Sequence, residues 1–376
     1  MFKMIIGSDL VPTDTNFNLF EAADVKTLAG DKLLQLLEEA DFRIFNLETP
    51  ICDEEAPIPK YGPCLRVPTR AMPGIKAFKP SLLVLANNHI LDQGEQGIYS
   101  TFYQLEKWEI PYIGAGNNLE DAKPPYIVES NGKKIGIYNA AEHEFTIAKE
   151  NAPGAYPFDF LDGPDEIARL KEDCDFVVVL YHAGKEHYRY PSPKLQKVCR
   201  KMAEKGADLV ICQHTHCVGC MEEYNGCTIV YGQGNFLFDH SEREEWQTSI
   251  LVKAEFSDKP KVEFIPIKKC ENKVRLAEGN DAKEIMDGFF ARTEEIKTPG
   301  VIEERYKECC MMFKQWYLYC MAGGQARTGC TSVEFDTEYP VGSLLAMVNY
   351  FTCEPHMETL ATIATELARE KLGDRI

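Results

Sequence analysis

Over the first 270 residues, short apolar runs alternate with amphipathic stretches, which restricts the chain to sheets covered by helices. Leu82–Ala86, Asp175–Tyr181 and Asp208–Cys212 are apolar almost throughout. A strand with one wet face alternates, so unbroken runs belong to strands buried on both faces. Further strands are expected at Phe2–Ser8, Asp41–Phe45, Pro111–Ile113, Lys134–Asn139, Thr228–Tyr231, Ser249–Phe256 and Lys261–Ile267. Helices fall between them, near 25–39, 71–78, 94–108, 164–172 and 192–205, and Leu33, Leu34, Leu36 and Leu37 give the first an apolar stripe. Pro57, Pro59, Pro63 and Pro68 forbid regular structure over 52–68, and 141–163 forms a second long loop. From Asp281 the pattern turns helical, at 281–296, 300–322, 341–353 and 355–372. The expected organisation is an α/β domain over 1–270 and a mostly helical extension over 281–376.

A formal net charge of −18 with no Lys/Arg block argues against a nucleic-acid partner. Fourteen cysteines would suit a disulfide framework in a small secreted chain, but this one has 376 residues and opens on a strand rather than a leader. No apolar stretch approaches the roughly 20 residues of a membrane helix. Reduced thiols in the cytoplasm are the simpler expectation. Cys217-Val-Gly-Cys220 has no second CxxC, so structural zinc is not expected there. His356 within Cys353–Glu358 reads as part of a helix start with Pro355 in its first turn.

The chemistry gathers where strands end. The first ends Gly7-Ser8-Asp9, the second Asn46-Leu47-Glu48, and the third Asn87-Asn88-His89 with Asp92. Later strands end on His182-Ala-Gly-Lys-Glu186, on Gln213-His214-Thr215-His216 and on Gly232-Gln-Gly234-Asn235. Carboxyl edges of α/β sheets are where ligands bind. Any one of these residues has a dull explanation as a cap, a turn former or a core histidine. His214-x-His216 is harder to dismiss, because positions i and i+2 of an extended segment share a face. Four of the eight histidines (His89, His182, His214, His216) lie at such edges. Carboxylate, amide oxygen and imidazole together suit Mn, Fe or Zn. Six candidate ligands exceed one tetrahedral site, so two divalent ions bridged by a carboxylate are the economical arrangement.

The series Gly7–Asp9, Asn46–Pro50, Ala86–Gly94, Gly114–Gly116, His182–Glu186, Asp208–His216 and Gly234–Asp239 resembles the CapA (PgsA) capsule and poly-γ-glutamate biosynthesis family. That family belongs to the calcineurin-like metallophosphoesterase superfamily. The resemblance implies a metallophosphoesterase-like four-layer αββα sandwich with a C-terminal helical extension. It implies Asp9 on a first metal, Glu48 bridging, Asn88 and His182 on a second, and His214 and His216 divided between the two. It places His89 as general acid with Asp92 orienting it, and sets Asn46, Asn87, Glu186 and Asn235 around them, to touch substrate or steady the ligands. The superfamily's Asp-x-His is here Asp9-Leu10-Val11, leaving the missing imidazole to Asp14, Asn16 or water. The implied function is metal-dependent hydrolysis of a phosphoester or related anionic bond by a metal-bound hydroxide, on a small anionic or polyanionic substrate. The alternatives are a non-hydrolytic component that binds a polyanion such as poly-γ-glutamate, and a metal-dependent amidase on γ-glutamyl polymers.

Overall fold

The computed structural model describes residues 2–60, 62–321 and 371–372. Contacts divide the chain into two compact units, Met1–Pro57 with Gly62–Tyr306 and Ile58–Tyr61 with Lys307–Ile376. The elements below belong to the first. Its strands open with β1 (Phe2–Val11), β2 (Phe42–Asn46), β3 (Leu82–Val84), β4 (Tyr112–Ile113) and β5 (Ala115–Gly116). Next come β6 (Tyr126–Ser130), β7 (Lys133–Ala141), β8 (Gly154–Ala155), β9 (Phe176–His182), β10 (Leu209–Gln213) and β11 (Met221–Tyr224). The last are β12 (Cys227–Val230), β13 (Asn235–Phe238), β14 (Thr248–Phe256), β15 (Pro260–Cys270) and β16 (Lys273–Leu276).

One sheet runs β16-β15-β14-β1-β2-β3-β4, with β13 also paired to β1, and the other runs β11-β12-β10-β9-β7-β6. Alternation along each strand divides the apolar side chains between two cores. Met4, Ile6, Ile44 and Val84 of the first sheet meet Ile137, Val178, Leu180 and Ile211 of the second. On the first sheet's other face, Ile5, Phe45 and Leu83 pack with Leu28, Leu33, Ile75 and Ile98 of the helices Val25–Ala29, Asp31–Glu38, Met72–Ala77 and Gly94–Lys107. Outside the second sheet, Val177, Val179 and Val210 pack with Ile167, Leu170, Leu195 and Met202 of the helices Gly163–Asp173 and Pro193–Glu204. The layers are therefore helix, sheet, sheet, helix: the expected four-layer αββα sandwich. Each of these buried aliphatics contributes about 1.5–3 kcal/mol, and the set offsets the cost of burying the charged groups described below.

Two local details differ from expectation. The stretch 25–39 forms two helices, because Gly30 adopts φ +74° between them. Asp24 caps the first, its carboxylate accepting from Thr27 N at 3.0 Å. The helix Phe17–Glu21 and the strands β6, β11, β13 and β16 also form where none was expected. The helix Gly279–Glu295 packs on the sandwich through Phe289, whose ring centroid lies 4.8 Å from that of Phe264. The expected helices over 341–353 and most of 355–372, with His356, lie outside the described residues.

Candidate metal centre

Register brings the polar strand ends together. Asp9 of β1 is paired with Asn46 of β2 and Asn235 of β13. On the facing sheet, His182 of β9 is paired with Ala141 of β7 and Gln213 of β10. Two rows thus meet at one edge of the sandwich, with Glu48, His214 and Glu142 one or two residues beyond. Gly7 is required two residues before Asp9, since a Cβ there would stand 2.6 Å from the Phe45 ring. His214 and His216 take φ of +87° and +55°. Such backbone is strained for residues with a Cβ and is sustained where the surroundings fix it.

Asp9 and Glu48 are fully buried, and His182, His214 and His216 nearly so. Asn46 Nδ2 donates to Asp9 Oδ1 at 2.7 Å, and Asn87 Nδ2 donates to Asn46 Oδ1 at 3.0 Å. Asp9 Oδ2 has no hydrogen-bond partner among the described residues and lies 3.5 Å from His216 Nδ1. Around His182 Nε2 stand Asn88 Oδ1 at 3.0 Å, His214 Nδ1 at 3.1 Å and Glu48 Oε1 at 3.4 Å. A single ring proton serves one of these atoms well; a cation serves all of them. Ligand atoms of Glu48, His182 and His214 lie within 4.8 Å of one another, as do those of Asp9, Glu48 and His216. Glu48 is common to both sets. The donors, carboxylate, amide oxygen and imidazole, therefore fit divalent metal.

Electrostatics agree with that fit. Burial lowers the His182 pKa to about 3, with Asp9 opposing. Burial, and then the neighbouring rings of His182 and His216, hold His214 well below the ordinary value. Both are neutral imidazoles, the form that binds metal. Burial also raises Asp9, but His216, His182 and the Asn46 amide outweigh it and keep the carboxylate ionised. His216 is lowered by burial and raised more by Asp9, ending above its ordinary value.

His89 stands slightly apart. Its Nδ1 lies 2.5 Å from Asp92 Oδ2, which also accepts from Leu65 N at 2.6 Å. The ring lines a cleft with Leu65, Glu186, His216, His240 and Trp246. Asn235 Oδ1 meets His216 Nδ1 at 2.9 Å. Asp9, Asn46, Glu48, Asn87, Asn88, His182, His214, His216 and Asn235 therefore gather at this sheet edge, with His89 and Glu186 along the cleft and Asp92 against His89.

Val11 is enclosed with Leu65, Phe238 and Trp246 in an apolar cluster. Asn16 does not replace the missing imidazole: its Oδ1 accepts from Thr13 N at 2.9 Å and its Nδ2 donates to Asn272 O at 3.0 Å. Asp14 is exposed. Cys217 is buried, its thiol pushed up to about 11 chiefly by desolvation, which suits a packed thiol and not a ligand.

Three neighbours were not foreseen. Trp246 lies against His216, ring centroids 4.3 Å apart, and donates from Nε1 to His187 Nδ1 at 3.3 Å. Glu142 and Glu144 lie 3.6 and 3.8 Å from His214 Nε2. Burial, and then Glu144, raise Glu142 to about 7. The strand-end rule that selected Asp9 applies equally to Ala141-Glu142, whereas nothing in the sequence marks Trp246.

A model of the family described as bacterial capsule synthesis protein PGA_cap matches residues 9–240, more than half of the chain. The chain belongs to the PGA_cap family. Similar proteins include PGA biosynthesis protein CapA of Bacillus subtilis (strain 168), 35% identical over 169 residues, 44% of each chain. Capsule biosynthesis protein CapA of Bacillus anthracis is 31% identical over 178 residues, 44% of this chain and 42% of that one. This PGA_cap chain thus spans less than half the length of those relatives. A solved structure described as a novel phosphatase from Mycoplasma pneumoniae is 17% identical, with a TM-score of 0.44 over 72% of this chain and 94% of that one. No helix among the described residues is long and apolar enough to cross a membrane.

Proposed function

We propose that the chain is a metal-dependent hydrolase that cleaves a phosphoester or a related anionic bond. The observation that carries this reading is the convergence of Glu48, Asn88 and His214 on His182 Nε2, beside the ionised Asp9. Asp9, Glu48, Asn88, His182, His214 and His216 would hold two divalent ions. Such ions, when bound, make water nucleophilic near neutral pH and neutralise charge on an anionic substrate.

The chain's own groups divide the remaining work. Asn46 fixes Asp9 Oδ1, and Asn87 fixes Asn46, so the carboxylate stays aimed at the centre. Asp92 fixes His89 through Nδ1, which leaves Nε2 as the nitrogen that delivers a proton to the leaving oxygen. Trp246 covers His216 on the cleft side and limits water there. Glu186 also lines the cleft, where it would touch substrate or steady the ligands.

The second reading is a polyanion-binding component of capsule assembly that does not cleave. The apolar setting of Val11, where the superfamily carries an imidazole ligand, favours it. Turnover of a generic phosphodiester and of a γ-glutamyl peptide by metal-loaded protein separates the readings. Phosphodiester cleavage supports the first. Peptide cleavage alone assigns an amidase. Metal-loaded protein inert to both supports binding.

A further inference from the structure

A cavity of about 420 Å³ lies beside the cleft, lined by Arg189, Val218, Thr248 and Arg292 among others. Three segments build both: His187 and Arg189, His216 and Val218, Trp246 and Thr248 each place one residue on the cleft and one on the cavity. Two residues of extended chain span about 7 Å, so the two spaces are neighbours.

The cavity holds two half-buried guanidinium groups drawn to one carbonyl. Arg189 Nη1 donates to Val218 O at 3.3 Å, and Arg292 Nη2 donates to the same oxygen at 3.0 Å. Arg292 Nε donates to Gly219 O at 2.8 Å. Among the described residues no carboxylate pairs with either arginine. The cavity's other charges are otherwise engaged or open to water. Lys268 pairs with Asp281, and Lys269 with Asp239 and Glu242. Glu244 and Glu284 are exposed. Two like charges gathered on one oxygen repel each other, and a guanidinium keeps its remaining N–H donors in a fork that matches an oxyanion.

We propose that Arg189 and Arg292 form an oxyanion subsite that holds a second carboxylate or phosphate of a substrate carrying several negative groups. This deepens the proposed function, since it rests on reading the adjacent cleft as the place of reaction. The test has two arms. Inorganic phosphate is titrated calorimetrically into chelator-treated wild type and Arg189→Gln, with Arg292→Lys as a second variant that keeps the charge near Val218 but loses the fork. Arg189→Gln is expected to weaken binding about tenfold or more, and Arg292→Lys to weaken it less. Equal phosphate affinity in wild type and Arg189→Gln overturns the subsite.

In the second arm, metal-loaded enzyme is assayed on a monoanionic phosphodiester and on tripolyphosphate. Arg189→Gln is expected to raise KM for tripolyphosphate about tenfold while leaving KM for the diester and both kcat values unchanged. Equal changes on both substrates overturn the role in substrate choice. Wild-type phosphate binding that Arg189→Gln loses, with no turnover of either compound, keeps the subsite and defeats the hydrolase reading alone.

Discussion

His214 Nδ1 stands 3.1 Å from His182 Nε2, and burial keeps both rings neutral. Neutral imidazoles held this way are ready for a cation, so the folded protein should bind divalent ions and be stabilised by them. At a free ion concentration 100 times Kd the gain is about 2.7 kcal/mol. Thermal unfolding of chelator-treated protein with and without Mn²⁺ should show a higher midpoint with the ion, and His182→Ala should lose most of that rise. An equal rise in the variant would assign the effect to sites elsewhere.

His89 is expected to act on substrate and not as a ligand. His89→Ala should lower kcat about 10²–10⁴-fold and leave metal content at the wild-type level. Asp92→Asn should lower kcat less and shift the alkaline limb of the pH–rate profile, where a general acid loses its proton, since it disturbs the ring through Nδ1 alone. Loss of metal together with activity would move His89 into the ligand set.

Val11 lies in a closed apolar cluster with Leu65, Phe238 and Trp246. Placing an imidazole there by Val11→His should therefore destabilise the fold by about 1–3 kcal/mol, measured by urea unfolding of the metal-free protein. Metal content should not rise. A variant as stable as wild type with tighter metal binding would mean that the cluster opens readily to a third ligand.

Glu166 ties the loop over 141–163 to the sandwich. Its carboxylate accepts from Tyr138 at 2.9 Å and Tyr156 at 2.7 Å, and Lys123 lies 2.9 Å away. Burial raises its pKa, but Lys123 and the two phenols outweigh that and hold it below 4.5. A depressed carboxylate stabilises the fold fully above its unfolded pKa and loses that contribution as pH falls through the folded value. Glu166→Gln should cost about 1–3 kcal/mol at pH 7. The gap to wild type should narrow below about pH 4.5. A gap independent of pH would mean that the group does its work by packing.

The sandwich was legible because its inner strands are buried on both faces and leave unbroken runs such as Phe176–Tyr181. Edge strands were less legible. Tyr126–Ser130 is only half-buried, and Asn235–Phe238 is four residues long beside a glycine-rich turn. Gly30 split a helix that the leucine stripe alone would have continued. At the centre, Asp9, Glu48, His182 and His214 could be named because each stands within two residues of a strand's end. Trp246 could not, since it reaches His216 from a short turn remote in sequence.

Glu48 is shared by the two fully buried sets of candidate ligands, Glu48-His182-His214 and Asp9-Glu48-His216, which makes metal stoichiometry the decisive quantity. Elemental analysis of purified wild type, His182→Ala and Glu48→Gln should give two divalent ions per chain, about one, and close to none. Wild-type protein that holds no divalent ion after dialysis against Mn²⁺, or Glu48→Gln that retains both, would contradict a carboxylate-bridged metal pair at this sheet edge.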